Sequence, residues 1–141
     1  MAIARAFAAT AMFAGLALGL AAPASAENEM SGHYVEIVTG PDGQTGTNDW
    51  YFTPCGDGCA DVSGRSGLKG RALLVNGQWT MDITLASVCP DGTRVPNNVT
   101  ARWTWDPNFL AGTDQIVNTA AACGIAPGTV TTNTVQFRQA P

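Results

Sequence analysis

The sequence predicts an all-β domain, an antiparallel up-and-down barrel of about eight strands, with a β-sandwich as the alternative. Apolar and polar residues alternate with period two along much of the chain, turn-forming pairs separate the alternating runs, and no stretch has convincing helical periodicity. Strands that follow each other in sequence usually pair, so a meander is the simplest topology. Eight strands can close into a barrel, which leaves no exposed edge.

Five strands are predicted in the first part of the chain. Their sequences are HYVEIVT (33–39), NDWYFTP (48–54), CADVS (59–63), LKGRALLV (68–75) and QWTMDITLASV (78–88). Glycine-containing turns separate them. Asn76-Gly77 is the strongest hairpin signal, because a type I′ turn requires positive φ at both central residues.

Three more strands are predicted after a loop near residues 87–97. Their sequences are VTARWTWD (99–106), LAGTDQIVNT (110–119) and TVTTNTVQFRQ (129–139). In the last strand the apolar phase changes between Val130 and Val135, which predicts a β-bulge.

One apolar stripe runs through these strands and would form the core of either a barrel or a sandwich. It consists of Trp50, Phe52, Trp79, Met81, Ile83, Leu85, Trp103 and Trp105. Because large rings dominate burial, we expect a filled interior. Trp50 and Trp105 lie nearest to strand ends, so we expect these two to be partly exposed.

Residues 1–26 are predicted to be a cleaved signal peptide. Arg5 precedes an apolar run, and Ala24-Ser25-Ala26 has the small-x-small pattern of a signal peptidase site. Residues 27–141 would then form a single secreted β-domain, extracellular or associated with the cell wall. No later stretch has the roughly 20 apolar residues of a membrane span.

The charge balance argues against nucleic acid as a partner. The chain has 7 Lys+Arg and 11 Asp+Glu, a formal net charge of −4, and no basic run. Nucleic-acid binding requires a basic patch that neutralises phosphates. We expect a monomer with an unknown protein or glycan partner.

The four cysteines predict two disulfides, Cys55–Cys59 and Cys89–Cys123. An even number of cysteines in an exported domain is typical of disulfides. Alternating the strands places the first pair across a three-residue hairpin loop at one end of the sheet. The second pair lies at the other end, and mixed pairs would be roughly 20 Å apart.

Metal and redox readings of the CGDGC segment are weaker. Zinc sites favour a second Cys or His pair, whereas this chain has a single histidine and its other cysteines stand alone. Redox pairs usually have two intervening residues at a helix start, and here three lie in a predicted turn. We therefore expect neither a metal nor a cofactor.

Catalysis is not expected. His33 is the only candidate base for a nucleophilic triad, and near the start of the first strand we expect it to be an exposed or capping residue. Most aspartates fall in turns, where their side chains bond the backbone. Asp82 should be solvated, while Asp114 interrupts an apolar strand and is a candidate partner for Arg102.

Two functions are therefore predicted, and a hydrolase is the less favoured third. The first is a non-catalytic interaction module of the cell envelope or medium, because binding residues often lie on loops over a rigid scaffold. Its candidate binding rim consists of Arg65, Asp91, Arg94, Asn97 and Asn98. The alternative is a carrier that holds a small apolar ligand inside the barrel.

The chain contains six short motifs, G-x-Y, W-x-F-x-P-C-G-x-G-C, G-x-W-T, C-P-D-G-T-x-V-P, W-x-W-D-P and C-G, at residues 32–34, 50–59, 77–80, 89–96, 103–107 and 123–124. Together they resemble a family of small exported mycobacterial proteins. The resemblance implies export, disulfides and a β-domain, and it implies no reaction. The meander is also similar in topology to lipocalin- and avidin-type barrels, which does not give a function.

Overall fold

Eight strands make up the part of the chain that the structure describes. The structure, a computed structural model, describes residues 28–65 and 67–141, so the predicted signal peptide lies outside the described residues. The strands are β1 (Gly32–Thr39), β2 (Thr45–Gly56), β3 (Cys59–Gly64), β4 (Lys69–Val75), β5 (Gln78–Val88), β6 (Arg94–Trp105), β7 (Ala111–Asn118) and β8 (Val130–Gln139).

The strands close into a barrel, which confirms the predicted fold and excludes the sandwich. Each strand pairs antiparallel with its neighbours in sequence, and the first strand also pairs with the last. Val35 of β1 lies opposite Asp49 of β2 on one side and opposite Arg138 of β8 on the other. Both edges of the terminal strands are therefore paired.

The β5–β6 hairpin differs from its prediction, because β6 begins at Arg94 and not near residue 99. A tight turn replaces the expected loop: Cys89 N–H donates to Thr93 O, and Asp91 Oδ1 accepts from Thr93 N–H. The aspartate thus fixes the turn, and the residues that follow are available for strand pairing.

The predicted bulge in β8 is wrong. The β7–β8 register runs without a shift from Val117 opposite Val130 to Ala111 opposite Gln136. Val130 simply points outward, and Asn133 occupies an inward position where an apolar residue was expected. The irregularities lie elsewhere, at Pro54–Gly56 of β2 and where β6 passes Leu85–Ser87 of β5.

Aromatic rings fill one half of the interior, which we call the aromatic end. Trp50 and Trp105 lie 5.1 and 5.0 Å from Phe137, and Trp79 stacks on Trp105. Both Trp50 and Trp105 are almost fully buried, so the expectation that they are partly exposed is wrong. Their strands are wound into the closed barrel, so proximity to a strand end does not bring them to the surface.

The connections divide between the two ends of the barrel as the meander requires. The turns after β2, β4 and β6 lie at the aromatic end. The turns after β1, β3, β5 and β7 lie at the other end, which we call the pocket end.

Both predicted disulfides are present, one at each end. Cys55 and Cys59 have Cα atoms 5.0 Å apart at the aromatic end, and Cys89 and Cys123 have Cα atoms 5.2 Å apart at the pocket end. The hairpin between the first pair is tighter than predicted, because Gly56 pairs directly with Cys59.

Two predicted side-chain environments are corrected. Arg102 pairs with Asp82, with Nε 2.6 Å from Oδ1, because these residues lie opposite each other on the outer face. Asp114 points inward and lies opposite Trp103, so it cannot reach Arg102. His33 is half-buried within β1, where its ring stacks on Tyr51 at 4.5 Å, and it is not a capping residue.

Candidate functional site

A cavity of about 710 Å³ opens at the pocket end of the barrel. This volume falls within the range of about 300–1,000 Å³ that is typical of small-molecule sites. Its wall comes from the first six strands and from the turn after β3. The prediction of a filled interior therefore holds for the aromatic end only.

One wall of this pocket is apolar. Leu68, Ile83 and Leu85 line it, and all three are partly buried against the core. Gly64, at an inward position near the end of β3, also lines the pocket, and Leu68 packs against its backbone. The same alternation of inward and outward residues that fills the aromatic end thus leaves an apolar surface beside a cavity at the pocket end.

Two tryptophans form the floor between the pocket and the aromatic end. Trp50 and Trp103 both line the pocket, and their rings meet edge to face at 5.3 Å. Both are nearly buried, so little of either ring is exposed to the cavity. A ligand in the pocket would change the surroundings of both indoles.

Glu36 is the buried carboxyl group of the pocket. It is 1% exposed, and Trp103 Nε1–H donates to its Oε1 at 2.8 Å. Asn48, directly opposite in β2, donates from Nδ2 to Oε2 at 2.9 Å. Burial raises the pKa of Glu36, and these two hydrogen bonds counteract part of that rise.

Asp114 is a second inward carboxyl group, close enough for its charge to raise the pKa of Glu36 further. It is 4% exposed, and burial raises its own pKa as well. Asn133 Nδ2 donates to Oδ2 at 3.3 Å, while Oδ1 is buried without a hydrogen-bond partner. An unsatisfied buried carboxyl oxygen is costly, so Asp114 is a local weakness of the fold.

Charged side chains surround the mouth of the pocket. Asp49 accepts from His33 at 2.7 Å and forms a salt bridge with Arg65 at 3.2 Å. Lys69 and Arg94 also line the pocket, and neither forms a salt bridge with any residue that the structure describes. The pocket lining therefore includes two cations that form no salt bridge within the described residues.

The structure brings three residues of the predicted rim to this pocket: Arg65, Arg94 and Asn97. Asp91 lies in the exposed turn before β6, where Thr93 N–H donates to it and lowers its pKa. Its position agrees with the predicted loop end, although it does not line the pocket.

Asn98 is not a rim residue, because it is buried inside β6. Its Oδ1 accepts from Ser87 N–H at 2.8 Å, and its Nδ2 donates to Ser87 Oγ at 2.9 Å. Here β6 has extra residues relative to β5, and the backbone pairing is interrupted. The Asn98 side chain supplies the missing acceptor, and Asn97 beside it adopts a positive φ of 53°.

Glu36, Asn48 and Lys69 are pocket residues that the sequence analysis did not name as site residues. One signal was present in the sequence: Glu36 shares the inward phase of its strand with Tyr34 and Val38. A carboxylate in the apolar phase is almost never fully buried unless it is paired. Asn48 begins the predicted strand 48–54, where nothing in the local pattern distinguished it from a turn residue; in the structure it is the fourth residue of β2.

Comparison of the chain with known protein families, curated proteins and solved structures finds no match. In the described ranges 28–65 and 67–141, there is no cluster of three or more His, Cys, Asp or Glu side chains suited to a metal ion. The same ranges contain no helix long and apolar enough to cross a membrane.

Proposed function

We propose that this protein binds a small amphiphilic molecule in the pocket end of its barrel and has no catalytic role. The observation that carries the proposal is the cavity of about 710 Å³, open at one end and floored by Trp50 and Trp103. This favours the carrier hypothesis over the interaction module. The ligand would be amphiphilic and not purely apolar, because polar and apolar side chains face each other across the space.

The arrangement of the carboxyl groups supports binding over catalysis. A general acid or base must have an oxygen within hydrogen-bond reach of the substrate. Both oxygens of Glu36 already accept hydrogen bonds, and Asp114 is not among the residues that line the pocket. The pair therefore supports a rigid polar wall better than a hydrolytic site.

A fluorescent probe tests the proposal. N-phenyl-1-naphthylamine, which is small, apolar and uncharged, should bind the wild-type protein and quench or shift tryptophan emission. Leu85→Trp should reduce probe binding because the larger ring enters the cavity. Leu73→Trp is the matched control, since Leu73 is exposed on the outer face of β4.

Probe fluorescence is the readout for the variants, and near-ultraviolet circular dichroism verifies that each has folded. Equal binding to Leu85→Trp and Leu73→Trp would place the probe outside the pocket. Absence of binding to the wild-type protein would contradict the proposal itself.

Secretion, and membership of the mycobacterial family suggested by the sequence motifs, belong to the same proposal. A signal peptide and two disulfides fit an oxidising compartment outside the cytoplasm. Mass spectrometry of the mature protein recovered from culture medium should give an N-terminus at residue 27. Material that retains residues 1–26 would contradict processing.

The interaction module remains a second candidate because of two exposed apolar residues. Val88 and Ile125 flank the Cys89–Cys123 disulfide and are 64% and 43% exposed. A partner on this surface should be captured from a cell-envelope fraction by the wild-type protein and by Leu85→Trp. Its capture should be lost with Val88→Ser; capture that survives this change would argue against the surface.

A further inference from the structure

Positive charge is concentrated at the pocket although the chain is acidic. The described residues include six Lys and Arg side chains, at Arg65, Lys69, Arg71, Arg94, Arg102 and Arg138. Three of them, Arg65, Lys69 and Arg94, line the pocket. In an acidic protein with evenly mixed charges, half of the cationic side chains would not be expected to line one pocket.

The cations on the outer wall are mostly neutralised. Arg71 pairs with Asp61 at 2.8 Å, and Arg102 pairs with Asp82. At the pocket, Arg65 shares Asp49 with His33, and the other two cations form no salt bridge within the described residues. Apart from Arg138 on the outer wall, the cations that form no salt bridge therefore line the pocket.

The interior has the opposite sign. Glu36 lies beside the floor of the pocket and Asp114 lies next to it inside the barrel. An anionic group would be repelled from this depth and attracted to the mouth. The charge distribution thus gives an entering molecule a preferred orientation, with its anion outward and its apolar part inward.

We infer that the ligand is an amphiphile with an anionic headgroup of the carboxylate or sulfonate class, held at the mouth by Lys69 and Arg94. Its apolar part lies against Leu68, Ile83 and Leu85. This inference rests on the proposed function and adds the charge and orientation of the ligand to it. Arg65 is the third contact, weaker because it already neutralises Asp49.

A matched pair of probes tests the headgroup. N-phenyl-1-naphthylamine is neutral, and 1-anilinonaphthalene-8-sulfonate adds one sulfonate to the same aromatic body. The wild-type protein should bind the sulfonate more tightly. Its advantage should shrink as sodium chloride increases from low to physiological concentration, because exposed ionic contacts are screened.

Single substitutions then show which cationic side chains bind the sulfonate. Lys69→Gln and Arg94→Gln should each weaken binding of the sulfonate by up to about fivefold, the size of an exposed ion pair, and leave the neutral probe unchanged. Arg138→Gln is the control, because it removes the same charge from an exposed position on β8 that does not line the pocket.

The outcomes separate the two proposals. If the neutral probe binds as tightly as the sulfonate, or if Arg138→Gln weakens the sulfonate as much as Lys69→Gln, the headgroup inference is wrong while the pocket stands. If the neutral probe does not bind the wild-type protein, the pocket proposal is wrong, and the headgroup inference, which rests on it, is wrong as well. Thermal melting of each variant verifies that the substitution has left the fold intact.

Discussion

The two disulfides should differ about twofold in their contribution to stability. Cys89–Cys123 joins residues separated by 34 positions, and Cys55–Cys59 joins residues separated by 4. A disulfide limits the conformations of the unfolded chain, and the effect grows with the logarithm of the closed loop. The chain-entropy relation gives about 4 kcal/mol for the long loop and about 2 kcal/mol for the short one.

These free energies convert into melting temperatures. Unfolding entropy is about 2.1 cal/mol/K per residue, so a domain of roughly 115 residues has about 0.24 kcal/mol/K. Cys89→Ala with Cys123→Ala should lower the melting temperature by about 16 °C. Cys55→Ala with Cys59→Ala should lower it by about 8 °C.

Calorimetry of both double variants measures the difference directly, without reductant, because alanine pairs leave no mispaired thiol. Urea unfolding adds the free energy at 25 °C and shows whether the denaturant slope has changed. Equal losses, or a larger loss from the short loop, would refute the loop-entropy reasoning. The stability would then come from native contacts around the hairpin.

Two further substitutions test the interior. Asp114→Asn should raise the melting temperature at pH 7 and have little effect near pH 4. Burial raises the pKa of Asp114, so the folded protein loses stability as pH rises from the unfolded value of about 4 through the raised pKa. Melting from pH 3.5 to 8 measures this, with Asp57→Asn in an exposed turn as the control. Gly112→Ala should lower the free energy of unfolding in urea by at least about 3 kcal/mol, because a Cβ would collide with the carbonyl oxygen of Thr104. Gly46→Ala is the control and should be nearly neutral, because its Cβ would have no neighbour within 4 Å.

Strands, turns and disulfides could be predicted because each has a local signature. The 78–88 strand was predicted to the residue, since period-two alternation and Asn76-Gly77 define both its phase and its start. The cysteine pairs followed from counting strand directions. The predicted strand boundaries were wrong where a side chain altered the local turn. At Asp91, the hydrogen bond from Thr93 N–H shortens the loop.

Closure of the barrel has no such local signature in the sequence. A barrel and a sandwich bury the same stripe, and the choice between them depends on pairing between β1 and β8, about a hundred positions apart in sequence. Local alternation is identical in both cases. The prediction therefore had to leave the sandwich open until the register of Val35 with Arg138 was known.

The pocket could not be predicted, because its existence depends on volume and not on pattern. Trp79, Ile83 and Leu85 share one phase, and the sequence alone gives no reason to separate them. Across the barrel, however, Trp79 lies against Trp105, while Ile83 and Leu85 border a cavity that also includes Gly64. The combination of side-chain size on facing strands decides which half is filled.

The long-range disulfide lies at the end of the barrel that is less completely filled. At the aromatic end, packed rings supply the apolar burial that stabilises a domain. At the pocket end, the interior holds a cavity, Glu36 and the incompletely bonded Asp114. A disulfide acts through the unfolded chain and needs little interior volume. Cys89–Cys123 therefore stabilises the end that carries the proposed site, where an aromatic residue of equal effect would have to occupy the cavity.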